Sequence, residues 1–279
     1  MFKIIADSSC DLTSLAHISP EVRYARAPLR ILVGDAEYVD VPGLDTRGMM
    51  DAVYAFPGKT GSACPSPEEY AEQCRDVDEA YIITISSNLS GSYNSAVLAR
   101  DLVLAESPEK KIHIFDSLSA GPELSLIAEK IATLASAGTA FEEVVAQVTE
   151  YMTRTALLFQ LNSLENLTKN GRVSKMAGMT AKLLGIHMIG IASDVGTVQP
   201  LHKCRGTEKT YRLVLQEMCE RGFSGGRVIL GHAFQEAGAQ MMRQMILEEF
   251  PTSNITVMPL SGLCCYYAEE GGLLVGFEK

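Results

Sequence analysis

Three short stretches concentrate hydroxyl groups in the first third of the chain: "DSSCDLTS" (7–14), "GSACPSPEEY" (61–70) and "SSNLSGS" (86–92). A serine hydroxyl donates a hydrogen bond without adding charge. A helix start adds unpaired backbone N–H groups that favour an anion. Placed at the carboxyl ends of strands, such turns suit one small anionic head, such as a carboxylate. Each also has a plainer reading. Ser and Asp are favoured N-caps, and "SPEE" at 66–69 resembles a capping box. "NLSGS" resembles the G-x-S-x-G nucleophile elbow, but Asn88 and Ser92 replace both glycines that the strained turn needs, which weakens Ser90 as a nucleophile.

Other chemistries find less support. His17, His113, His187, His202 and His232 show neither H-x-x-x-H nor H-E-x-x-H spacing, so no metal is expected. The seven cysteines are odd in number, irregularly spaced and without a C-x-x-C pair, which points to reduced, mostly buried thiols and a cytoplasmic protein. The adjacent Cys264 and Cys265 read as packing. Neither G-x-x-x-x-G-K-[ST] nor G-x-G-x-x-G occurs between a strand and a helix, and no cofactor is expected. Among twelve methionines, Met49, Met50, Met176, Met179, Met188, Met241, Met242 and Met245 sit among apolar neighbours. Flexible methionines can line an adaptable cavity, although core packing is their commoner use. With hydroxyl-rich turns, they suggest an apolar tunnel with one polar end.

The elements that must position these groups follow from periodicity. "FKIIA", "YIITI" and "KIHIF" read as buried parallel strands, each followed by a turn and a helical pattern, which predicts an α/β sandwich with a mainly parallel sheet. "SYNSAVLARDLVLA", "ELSLIAEKIATLASAG" and "FEEVVAQVTEYMTRT" are its helices. From Thr155 the texture changes: a strand "ALLFQL", short helices broken at Asn170-Gly171, and a hairpin in "IHMIGIASDVGTVQPLHKC". Helices at 205–220 and 235–248 alternate with the strands "GRVILGHA", "NITVMPL" and "GLLVGF". An N-terminal α/β domain over 1–160 and a C-terminal α+β domain over 161–279 are expected.

With 47% hydrophobic and 21% charged residues, the composition is that of an ordinary globular protein. No apolar run reaches the roughly 18 residues that span a bilayer, and "MFKIIADSSCD" is too short in its apolar part for a signal peptide. A net charge of −10 argues against nucleic acid or an anionic membrane as the main partner. The window from Lys169 to Arg212 nevertheless holds eight bases against Asp194 and Glu208, a local +6. That is either a solvated basic face or a docking surface.

"ADSSCDL", "GSACPSPEEY", "ISSNLSGSYNSA", "FDSLSAG", "LENLTKNGRVSK", "CRGTEKT" and "GHAFQEAGAQ" resemble, in order and spacing, the motifs of the DegV family, from about residue 2 to residue 277. The resemblance implies a two-domain DegV-like fold with a long-chain fatty acid between the lobes. It also implies the role of the fatty-acid-binding subunit of a bacterial fatty acid kinase, which presents the carboxylate to a separate ATP-binding kinase and then holds the acyl-phosphate. The same resemblance assigns carboxylate donors to Ser62, where the family usually has Thr, and to Ser90, with the Gly91 backbone nearby. Arg172 matches the arginine of the family's Gly-Gly-Arg-Ile-Ser motif, and Arg205 the arginine implicated in kinase docking.

Two departures stand out. Ala63 and Cys64 replace two polar residues. "CYYAEEGG" puts Tyr267 where the family histidine would be, with Glu269 and Glu270 in place of Gly and Pro. Tyrosine can donate to a carboxylate but carries no positive charge, and two acids pointing inward would repel a phosphate. The expected function is a non-catalytic fatty acid carrier. The alternatives are a carrier of another amphipathic anion and a lipid esterase-like enzyme using Ser90.

Overall fold

The computed structural model describes residues 2–15, 19–174 and 185–279. The expectations for His17, Lys175, Met176, Met179 and Lys182 fall outside these residues. β1 (Phe2–Asp7) is flanked by β2 (Val22–Ala27) on one side. On the other lie β6 (Glu79–Thr84) and β7 (Lys111–Asp116), completing a four-stranded, wholly parallel sheet of order β2-β1-β6-β7. Alternate residues of each strand serve opposite faces. Ile5 and Ile82 pack under α2 (Pro67–Arg75) and α3 (Ser92–Glu106), whereas Ile4 and Ile83 pack under α4 (Pro122–Ser136) and α5 (Phe141–Met152). Coverage on both faces explains why these strands read as continuous apolar runs.

A second, six-stranded sheet has the order β10-β9-β8-β13-β11-β12. Its members are β8 (Thr155–Leu161), β9 (Ile186–Ala192), β10 (Val198–Arg205), β11 (Arg227–His232), β12 (Asn254–Pro259) and β13 (Leu273–Glu278). β9 and β10 form the expected antiparallel hairpin, turning at Gly196 with φ +72°. β13 lies in the middle, antiparallel to both β8 and β11. α7 (Thr207–Glu220) and α8 (Glu236–Glu249) cover one face through Val214, Met218 and Met242 against Leu158, Val228 and Leu230. The other face meets the first lobe. There α4 approaches so closely that a Cβ on Gly276 would lie 2.7 Å from the Pro122 carbonyl carbon.

Between the sheets sits a unit the apolar runs do not announce. It comprises β3 (Arg30–Val33), β4 (Ala36–Val39) and β5 (Thr60–Ala63), antiparallel in the order β4-β3-β5, with α1 (Thr46–Ala55) alongside. Ile31 and Met49, Met50 and Val53 of α1 fill one cluster with Leu157, Phe159 and Leu161 of β8. Ser62 therefore lies in a strand, opposite Ile31, and not in a polar turn.

Candidate functional site

The face of the six-stranded sheet turned to the first lobe forms one wall of an interlobe cavity. Leu157, Phe159 and Leu161 line it at every second position of β8, joined by Leu274 of β13, the register partner of Phe159 across the sheet's neighbouring strands. Leu29, Ile85, Leu89 and Leu263 face them. The space it offers, including its open mouth, is about 810 Å³. The walls are aliphatic and aromatic; no described methionine lines them. Met49, Met50 and Met188 are core residues behind the cavity, Met242 and Met245 pack under α7 and α8, and Met241 is exposed.

Polar groups gather at one part of this wall. The Ser62 and Tyr267 hydroxyls are 2.8 Å apart, and Ser90 and Arg172 line the same cavity. β5 sets Ser62 by pairing with β3. The turn carrying Ser90 is built on Asp7, whose buried carboxylate accepts from Ile85 N (2.8 Å) and the Ser92 hydroxyl (2.6 Å). The Tyr70 and Ser92 hydroxyls are in turn 2.7 Å apart. Burial raises the Asp7 pKa above the ordinary carboxylate range. The Ser90 hydroxyl accepts from Ser92 N (3.2 Å), capping the approach to α3. Gly91 precedes α3 and does not line the cavity; a Cβ there would lie 3.3 Å from Cys64 Sγ.

Arg172 Nε donates to Leu89 O (3.2 Å) and Nη1 to Asn170 O (2.6 Å), and its guanidinium carbon stands 5.9 Å from the Tyr267 ring centre. The side chain thus joins the two lobes beside the hydroxyls. Burial raises the Tyr267 pKa above the usual phenol value, so its hydroxyl stays a neutral donor at physiological pH. Arg205 lies apart, exposed at the end of β10 with Lys203 and Lys209 exposed nearby in sequence. Lys169 and Arg212 are paired with Glu165 and Glu208.

Glu269 and Glu270 do not face the cavity. Glu269, at φ +55°, is buried and accepts from Ser163 Oγ (2.8 Å) and Asn166 N (3.0 Å), where α6 (Glu165–Lys169) begins. Burial raises its pKa. Glu270 is exposed and 3.1 Å from Arg47. The repulsion expected of inward-pointing acids is therefore not built into this site.

The short helix α9 (Gly262–Ala268) carries Leu263, Cys264, Tyr267 and Ala268 to the cavity. Two aspartates of the first lobe hold its start, a contact the sequence reading missed. Asp40 accepts from Gly262 N and Leu263 N, each at 2.9 Å, and Asp11 accepts from both Ser261 N and Ser261 Oγ at 2.8 Å. Burial pushes the Asp11 pKa up to about 7. The only available signal was Asp11's place inside "ADSSCDL". Among the described residues no imidazole or carboxylate lines the cavity. Among the same residues no group of three metal-ligating side chains occurs, and no helix is long and apolar enough to cross a membrane.

Comparison with known families matches residues 1–279 to the one described as "Uncharacterised protein, DegV family". The chain belongs to the DegV family. A DegV domain-containing protein of Streptococcus pneumoniae is 43% identical over 277 residues, covering 99% of both chains. Among solved structures, the S. pneumoniae fatty acid kinase (Fak) B3 protein loaded with linoleic acid is similar at a TM-score of 0.97 and 43% identity, with 99% of each chain covered. A DegV family protein from Eubacterium eligens loaded with heptadecanoic acid follows at 0.96 and 35%, with 100% of each covered. The parallel sheet joined to a second sheet is thus the DegV architecture, as the motifs implied.

Proposed function

We propose that this DegV protein binds a long-chain fatty acid in the interlobe cavity and presents its carboxylate to a separate ATP-dependent kinase. One observation carries the reading: an apolar cavity meets a hydrogen-bonded Ser62–Tyr267 hydroxyl pair, in a fold that follows a linoleate-loaded structure at a TM-score of 0.97. Burying a methylene is worth about 0.8 kcal/mol, so a C16 to C18 tail supplies on the order of 10 kcal/mol and dominates affinity. The Ser62, Ser90 and Tyr267 hydroxyls then orient the head, with the Arg172 charge beside them. Gly91 shapes the turn behind Ser90. Phosphoryl transfer belongs to the partner, which would meet the exposed Arg205, Lys203 and Lys209. The fatty acid is the ligand, and no further cofactor is invoked. Seven unpaired cysteines fit a reducing compartment, and we place the protein in the cytoplasm.

Native mass spectrometry of gently purified protein tests the reading. A bound C14 to C18 acid, or uptake of one on addition, is expected; neither bound acid nor uptake would sink it. Ser62→Ala and Ser90→Ala should each weaken binding by about 1–3 kcal/mol. In a coupled assay with a fatty acid kinase and ATP, Arg205→Ala should slow acyl-phosphate formation, trapped as the hydroxamate, without changing fatty acid affinity.

A further inference from the structure

Tyr267 reaches the cavity from a seven-residue helix, and such a helix has little stability of its own. Its orientation depends on what holds it. At its far end Asn166 Nδ2 donates to Tyr266 O (2.8 Å), and the Tyr266 hydroxyl contacts Thr60 Oγ1 (2.7 Å) and Asn170 Nδ2 (2.9 Å). These contacts fix Tyr266, on a different face of the helix from Tyr267. The start is held across the lobes. Asp40, 1% exposed, places one carboxylate oxygen on Gly262 N and the other on Leu263 N, both at 2.9 Å. Its negative charge also complements the positive end of the helix and lies 3.8 Å from the buried Arg26 guanidinium.

The approach is tight by construction. A Cβ on Gly262 would stand 3.0 Å from Asp40 Oδ1 and 2.7 Å from a Leu44 methyl, so a side chain there would press on the Asp40 carboxylate and on Leu44. Asp11 supports the residue before, through Ser261. Neither aspartate is a member of the head-group set, and Asp40 does not line the cavity.

We infer that Asp40 is a positioning residue for carboxylate recognition: by fixing the start of α9 it holds the Tyr267 hydroxyl at the distance from Ser62 at which both can meet the ligand's head. The inference rests on the proposed head-group role of Tyr267. Asp40→Asn keeps the side-chain volume but loses one of two acceptors and the charge, and α9 gains freedom to tilt. Binding of the acid head should suffer most, while the wall residues Leu157, Phe159, Leu161 and Leu274 on β8 and β13, which α9 does not carry, stay in place.

A double-mutant cycle separates positioning from general loosening. Oleic acid and oleyl alcohol would be titrated by native mass spectrometry against the parent chain, Asp40→Asn, Tyr267→Phe and the double variant, with Gly262→Ala as a second way of displacing the same contact. We expect Tyr267→Phe to weaken oleic acid about tenfold, the scale of a hydrogen bond to a charged group, and Asp40→Asn and Gly262→Ala to do the same. The double variant should be no weaker than Tyr267→Phe alone, and oleyl alcohol should change less than twofold. If the effects of Asp40→Asn and Tyr267→Phe multiply, or acid and alcohol weaken equally, the positioning role is wrong and the head-group reading stands. If Tyr267→Phe leaves oleic acid unchanged, the head-group role of Tyr267 falls, and the role of Asp40 with it.

Discussion

Gly196, at the tip of the β9–β10 hairpin, joins the two lobes at the edge of the cavity, and replacing it by alanine isolates that junction. Its φ of +72° costs an L-residue about 1–2 kcal/mol. A Cβ there would collide with Ser86 Oγ and lie 2.9 Å from Leu118 Cα, so the tip must lift. Lifting breaks the Ser86 Oγ–Gly196 O bond of 2.7 Å and the Asn88 Nδ2–Val195 O bond of 2.8 Å, each worth about 0.5–1.5 kcal/mol net. The total is about 2–5 kcal/mol lost from the closed arrangement. Ala192, Thr197 and Val198 of the same hairpin line the cavity, so the loss should reach the ligand. Urea unfolding followed by circular dichroism would report the stability, and stopped-flow transfer of a fluorescent fatty acid to acceptor vesicles its release. Release should accelerate at least tenfold. A stability within about 0.5 kcal/mol of the parent, the range of an inconsequential surface change, together with an unchanged release rate, would refute the reasoning.

Three further outcomes follow from the same geometry. Because burial raises the Asp11 pKa to about 7, the native state keeps a proton that the unfolded chain has lost, and the parent should lose stability relative to Asp11→Asn as pH rises from about 4 to 7 and no further above that; thermal melts from pH 4 to 8 check it. If Tyr267 meets the head as proposed, its raised pKa keeps it neutral and oleic acid affinity should be flat from pH 6.5 to 8.5, whereas Tyr267→His should bind less well as pH rises through about 6.5, read by titration across that range. A Cβ on Gly190 would run into the Phe159 ring, so Gly190→Ala should press that ring into the cavity and lower affinity for a C18 acid several-fold more than for a C14 acid, measured by competition between the two.

The parts of the fold legible in the sequence are those that carry an apolar run or a turn signal. β1, β6 and β7 are covered on both faces and read as apolar runs, and the β9–β10 hairpin declared itself through Asp194-Val195-Gly196. β3, β4 and β5 are four residues each and mostly only partly buried, too short to show a period, which is why Ser62 read as part of a turn. The central place of β13 follows from long-range pairing with β8 and β11, which no local pattern encodes. In the site, Ser62, Ser90, Arg172 and Tyr267 came from the family motifs and converge on one cavity, whereas Gly91 lies just behind it. Glu269 and Glu270 occupy the expected place in the chain, but the positive φ at Glu269 turns its carboxylate toward α6, an outcome set by backbone geometry rather than residue type. Asp40 had no signal, because its partners are backbone N–H groups 222 and 223 residues away.

That separation along the chain also has a consequence in time. Asp11 meets Ser261 across 250 residues. At a synthesis rate of roughly 5–20 residues per second, the aspartates would wait on the order of tens of seconds on the ribosome before α9 emerges to meet them. Until then Leu29 lacks its packing partner Leu263, and Ser62 has no tyrosine partner. A nascent chain can thus expose the apolar half of the cavity to chaperones before the Ser62–Tyr267 hydroxyl pair exists. The closed cavity is therefore a product of the finished chain: its hydroxyl pair cannot form until Tyr267 has emerged and the lobes have met.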